Sequence, residues 1–128
     1  MSKIVLDASA ILAILNGEPG AGQLTANLLA EAVASTVNLA EAQKKLVGAG
    51  VDSEGAWKRI LVVVSEAVPF AAAHARTAAD LFLQTKSSGL SLGDRACLAL
   101  AITLKAPVYT TDRVWKKLNL GVSVHVIR

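Results

Sequence analysis

Cysteine is almost absent from this sequence: Cys97 is the only one among 128 residues. A lone thiol excludes an intrachain disulfide and fits a reducing compartment. Its setting, Ala96-Cys97-Leu98-Ala99-Leu100, marks a small core residue rather than a nucleophile. Aromatic side chains make up only 4% of the chain, so any core must be built from Ala, Val, Leu and Ile. At 53% hydrophobic residues there is enough material for one. Helix-forming Ala and Leu mixed with strand-forming Val and Ile point to an α/β protein. No apolar stretch approaches the ~20 residues that span a bilayer. Asp7 interrupts the apolar start between Ile4 and Leu15, which argues against a secretory signal. A cytoplasmic protein away from membranes is the expectation. A net charge of +3 is a mild bias toward polyanions and decides nothing alone. Repeats, low-complexity tracts and linkers are lacking, and 128 residues suit one domain over 1–128.

What is present alternates between strand and helix signals. Lys3–Leu6 reads as a buried strand and Ala8–Leu15 as a helix, stopped by Asn16-Gly17-Glu18-Pro19-Gly20. Ala21–Ala32 reads as a second helix, Val33–Val37 as a strand and Asn38–Val47 as a helix closed by Gly48 and Gly50. Asp52 opens the next helix, with Trp57, Ile60 and Leu61 assigned to its inner side. Val62–Val64 fits either helix end or strand, whereas Ala67–Phe70 is a strand because Pro69 ends any helix before it. Ala71–Thr85 is an amphipathic helix and Lys86–Gly89 a loop. The helix opened by Asp94 and running to Leu104 is apolar on nearly every face. A strand at Pro107–Thr111, a short helix at Arg113–Leu118 and a strand at Val122–Ile127 complete the chain. This order predicts parallel pairing through right-handed crossovers, with helices on both faces of the sheet.

Of ten acidic residues, four stand at the ends of strands or the starts of helices: Asp7, Glu41, Asp94 and Asp112. Each has an ordinary structural explanation. Asn38-Leu-Ala-Glu41 and Ser91-Leu-Gly-Asp94 fit capping boxes, and Asp7 and Asp112 fit plain helix caps. For any one of them capping suffices. As a set they ask for more, because the carboxyl ends of parallel strands share one edge, where α/β proteins bind ligands. Asp7 and Asp112 belong on that edge, with Glu41 close by. Carboxylates gathered there repel, by roughly 4 kcal/mol for a pair ~4 Å apart. Either some are protonated or a cation lies among them. An oxygen-only set without a partnering Lys is what Mg²⁺ or Mn²⁺ prefers.

Four segments carry a likeness to known proteins: Val5-Leu-Asp7-Ala-Ser9-Ala, Ser35-Thr-Val-Asn-Leu-Ala-Glu41, Gly89 through Asp94 to Ala101, and Tyr109-Thr-Thr-Asp112-Arg-Val-Trp115. In this order and spacing they resemble the PIN-domain nucleases, and within them the VapC-type toxins. The resemblance implies a parallel five-stranded sheet and one or two Mg²⁺ or Mn²⁺ ions held by Asp7, Glu41, Asp94 and Asp112. It implies supporting hydroxyls at Ser9 and Thr111, an RNA substrate, a small antitoxin of the VapB type that blocks the acidic crevice, and a homodimer. One departure is Ala71, where many relatives carry an acid after Pro69-Phe70.

Phosphodiester hydrolysis needs an activated water, neutralised phosphate charge and a stabilised leaving oxygen, all of which divalent ions supply. The expected ends are 5′-phosphate and 3′-hydroxyl. His74 and His125 are not placed to act as a base, so the histidine pair of a metal-free ribonuclease is missing. Arg95 and Arg113 directly follow two of the acids and are the candidates for holding the RNA backbone, with Lys116 and Lys117 beyond. Trp57 is expected in the core; Trp115 and Tyr109 fit either core packing or base stacking. Two other readings compete with this one. A phospho-acceptor receiver domain resembles this pattern but carries adjacent acids after its first strand and a lysine after its last. Here Ala8-Ser9 follows Asp7, and Val122–Ile127 ends without a lysine. A PIN-like fold kept as a non-catalytic binding module is disfavoured by the presence of all four acids.

Overall fold

The computed structural model describes residues 2–128. Its strands are β1 (Ile4–Leu6), β2 (Ala32–Ser35), β3 (Glu66–Val68), β4 (Val108–Thr110) and β5 (Val124–Val126). They form one five-stranded sheet in the order β3-β2-β1-β4-β5. Every pairing is parallel, with Val5 opposite Val33 on one side and Val108 on the other. The α/β architecture expected from the alternation is therefore present. Chain direction across the sheet reverses between β1 and β4, so a crevice opens there at the carboxyl ends of the strands.

Alternate residues of each strand serve opposite faces. Ile4, Leu6, Ala32 and Ala34 pack under α1 (Ala8–Asn16), α3 (Thr36–Gly48) and α4 (Ser53–Val63). Val5, Val33 and Val108 pack with Cys97, Leu98 and Ala101 of α7 (Leu92–Leu104) and with Trp115. Trp115 is fully buried, which settles it as a core residue. Trp57 and Leu61 are instead 40% and 45% exposed, because the inner line of α4 is Ala56, Ile60 and Val63. Of the three residues expected on the inner side, Ile60 is there and Trp57 and Leu61 are not.

Local hydrogen bonds account for the other departures. The helix expected over Ala21–Ala32 is a 3₁₀ turn at Ala21–Gln23 followed by α2 (Ala26–Leu29). Thr25 restarts it by accepting the Leu28 N–H at 3.3 Å. Ser35 caps α3 by accepting the Val37 N–H at 3.2 Å, so the strand ends at Ser35 and not Val37. The capping box assigned to Asn38 and Glu41 is consequently absent: Asn38 lies inside the helix. The helix expected over Ala71–Thr85 divides into α5 (Ala72–Asp80) and α6 (Phe82–Thr85). Near that break the Thr85 hydroxyl bonds back to the Leu81 carbonyl at 2.8 Å, a contact that bends helices. The Lys86–Ser88 stretch is a 3₁₀ turn, and α4 includes Val62 and Val63. No helix among the described residues is long and apolar enough to cross a membrane.

Lys105 ends α7 with φ 53°, a left-handed conformation that a side chain disfavours. Replacing Lys105 by Gly is expected to stabilise the fold by about 0.5–1 kcal/mol, read as a higher urea midpoint at unchanged slope.

Candidate active site

A pocket of about 240 Å³ at the carboxyl edge is lined by Asp7, Ser9, Glu41, Lys45, Ser91, Asp94 and Asp112, with Ala8 between the first two. Elements distant in the chain thus bring all four expected acids to one place. Asp7 leaves β1 and caps α1; Glu41 rises from the second turn of α3; Asp94 sits in the first turn of α7. Asp112 follows β4 and caps the 3₁₀ helix Arg113–Lys117. The buried Cys97 thiol behind the pocket is pushed well up, first by burial and then by the charges of Asp7, Asp94 and Glu41. A single group feeling three carboxylates is a second mark of their convergence.

Asp7 is the buried member. One carboxylate oxygen accepts from the Ser9 hydroxyl at 2.7 Å and the Ala10 N–H at 2.8 Å; the other accepts from Thr110 at 2.7 Å. Burial nevertheless dominates these bonds and, with the charge of Asp94, raises its pKa to about 6. The Ser9 oxygen also accepts the Thr111 N–H at 3.0 Å, and Thr110 accepts the Asp112 N–H at 3.0 Å. These bonds tie the ends of β1 and β4 together. Replacing Thr110 by Val removes a donor to the ionised form, so the Asp7 pKa is expected to rise above 6. An NMR titration of the carboxyl carbon reads this directly.

Glu41 is held differently. The buried Asn38 amide donates to Glu41 Oε1 at 3.1 Å and to the Gly93 carbonyl at 3.0 Å, linking α3 to α7. The Glu41 carboxylate lies where a side chain at residue 93 would be, and only glycine leaves that room. Asp94 forms the expected capping box with Ser91, accepting its N–H at 3.0 Å. Asp112 accepts the Val114 N–H at 3.0 Å.

Capping and convergence therefore hold together. As the side chains lie, no three carboxylates among the described residues close on one metal position, since each is engaged by its own local donors. The donor chemistry still fits a hard divalent cation: four carboxylates and the Ser9 and Ser91 hydroxyls line one pocket, and its buried member is costly to ionise alone.

The remaining candidates are distributed unevenly. Ser9 is in the pocket; Thr111 is beside it and contributes its N–H, while the hydroxyl that supports Asp7 belongs to Thr110. Arg95 points away: its Nη1 donates to the Ala78 carbonyl at 3.1 Å and its guanidinium lies 5.4 Å from the Phe82 ring centre. It fastens α7 to α5 and α6. Arg113 donates weakly to the Arg128 carbonyl at 3.4 Å and does not line the pocket. The cation that does is Lys45, so the set is not free of lysine as the sequence suggested. Its place four residues after Glu41, hence on the same helix face, was the overlooked signal. His74 accepts the Ala71 N–H at 3.2 Å, capping α5 where relatives are expected to carry an acid. His125 stacks on Tyr109 at 4.6 Å between ring centres.

A parallel α/β sheet with acids gathered at its topological switch point puts the pocket where proteins of this architecture bind ligands. The model of the PIN domain matches residues 4–120, and the chain belongs to that family. Among solved structures it is similar to VapBC2 from Rickettsia felis bound to a DNA fragment from its promoter, with TM-score 0.73 and 19% identity over 94% of this chain and 96% of that one. DNA-bound VapBC from Salmonella typhimurium gives TM-score 0.74 and 16% identity over 97% of each chain. VapC20 from Mycobacterium tuberculosis, described as a Sarcin-Ricin loop cleaving toxin, gives 0.73 and 17% over 94% of this chain and 98% of that one. No curated protein sequence matches significantly.

Proposed function

We propose that this chain is a divalent-metal-dependent endoribonuclease and the toxin of a toxin–antitoxin pair. The observation that carries the nuclease reading is the gathering of Asp7, Glu41, Asp94 and Asp112 around one pocket at the switch point of the sheet. Mg²⁺ or Mn²⁺ bound by these four would neutralise phosphate charge and activate water. The chain's own residues do the rest. Asp7, anchored by Ser9, Ala10 and Thr110, fixes one corner of the site. Asn38 and Gly93 set the height of Glu41. Lys45 supplies positive charge for an RNA phosphate at the pocket mouth. The raised pKa of Asp7 makes ion capture weaken as pH falls through about 6.

The toxin reading is supported by the likeness to VapBC structures and to VapC20, described as a cleaving toxin. It brings with it a small antitoxin that blocks the acidic crevice, a homodimer and a cytoplasmic setting. A neighbouring reading frame for a short DNA-binding protein would support it; harmless overexpression of the chain alone would count against it. The nuclease is tested by incubating purified protein with RNA and Mg²⁺ or Mn²⁺, with and without EDTA. Cleavage into fragments with 5′-phosphate ends, stopped by EDTA, is expected. Cleavage unchanged in EDTA sinks the mechanism, and inert RNA at every metal concentration leaves the binding-module reading.

A further inference from the structure

Beside the acidic pocket lies a second hollow of about 360 Å³, within the ~300–1,000 Å³ range of small-ligand pockets. The two share Ser9 and Lys45 in their linings, so they adjoin. The inner wall of the second hollow is apolar: Leu12 of α1, Leu46 and Val51. Its rim is polar: Asn16, Thr111 and the Glu18–Arg128 ion pair. Lys45 stands between the halves and has no ion-pair partner among the described residues.

We propose that this hollow seats the nucleobase adjoining the phosphate that is cut, with Lys45 holding the phosphate that joins the two sites. The inference rests on the nuclease reading and deepens it. A base has two apolar faces and a hydrogen-bonding edge, which matches aliphatic walls under a rim of amide, hydroxyl and paired charges. With a divalent ion among the acids of the first hollow, an occupant of both would carry an anion at one end and a flat ring at the other, one unit along. That is a nucleotide. The Glu18 carboxylate accepts and the Arg128 guanidinium donates, so the rim discriminates between base edges. Single-stranded RNA is implied, because a base stacked in a duplex has no free face to lay against the apolar walls.

The test titrates the four ribonucleosides, and then their 5′-monophosphates, into ¹⁵N-labelled protein in Mg²⁺. Amide shifts at Leu12, Leu46, Val51 and Thr111 are expected, unequal among the four bases. The monophosphates should bind about tenfold tighter than the nucleosides, and Lys45→Gln should remove that gain. Ala49→Trp, which projects from the hollow's wall, should abolish the nucleoside shifts in protein whose circular dichroism is unchanged. Shifts elsewhere or none, or shifts that persist in a folded Ala49→Trp protein, overturn the proposal; a hollow indifferent to all four bases is then a seat for an apolar side chain of a protein. Nothing is cleaved in this titration. A protein that cuts RNA yet ignores nucleosides counts against the subsite alone, and one that binds them yet never cuts RNA counts against the nuclease alone.

Discussion

Replacing Asp7 by Asn is expected to silence RNA cleavage and, at the same time, to stabilise the metal-free protein at neutral pH. The two effects share one cause. Asp7 is 4% exposed, and its pKa is raised from 3.8 to about 6, chiefly by burial. Between those values the folded protein holds a proton that the unfolded chain has released. Stability from this group therefore falls as pH rises from about 4 to about 6 and stays low above it, a loss of about 3 kcal/mol. Asn has the same shape and no charge. Its oxygen can accept from Ser9 and Ala10, and Thr110 can turn to accept from its amide. Unfolding in EDTA at pH 7 should show Asp7→Asn more stable by about 1–3 kcal/mol, with the advantage gone near pH 4. Cleavage should fall at least ~100-fold. Lost activity with lost stability would mean that Asp7 is only a helix cap. A site that destabilises its own scaffold for function gives the opposite signature.

Gly93→Ala is the second large effect. The new methyl group would occupy the space of the Glu41 carboxylate, which Asn38 holds against the Gly93 carbonyl. Either Glu41 swings away or α3 and α7 separate. Cleavage is expected to drop about as far as in Glu41→Gln, on the order of 100-fold, with a stability cost of no more than about 1 kcal/mol, because the atoms in the way are the free end of a flexible side chain and Ala is the better helix former. The cost should largely vanish in a Glu41→Ala background, because the obstructing carboxylate is gone. Denaturation of the four proteins of this cycle gives the coupling directly. Equal costs in both backgrounds would show that Gly93 serves the helix and not Glu41.

Much of the architecture was legible in the sequence because strand and helix patterns alternate, and parallel sheets leave little freedom in how such an order is wound. Asp7, Glu41 and Asp112 were legible for the same reason, because the carboxyl ends of the strands share one edge; Asp94 was not, since no strand directly precedes its helix. What stayed hidden depended on side chains choosing between partners. Ser35 took the cap that Asn38 was expected to take, which moved the start of α3 and freed Asn38 to brace Glu41. Arg95 follows an acid in sequence, yet a helix turns adjacent residues about 100° apart, and it reaches Ala78 instead of the pocket. Thr110 rather than Thr111 supports Asp7, a one-residue choice that strand alternation decides and register fixes. Lys45 and Gly93 become meaningful only once α3 and α7 are seen to meet.

The most direct measurement is anomalous diffraction from crystals of the protein soaked in Mn²⁺. One or two peaks are predicted in the pocket, with carboxylate oxygens of Asp7 and of at least two among Glu41, Asp94 and Asp112 at bonding distance. Empty density there at saturating Mn²⁺, with those side chains still closing their own helices, would contradict the account.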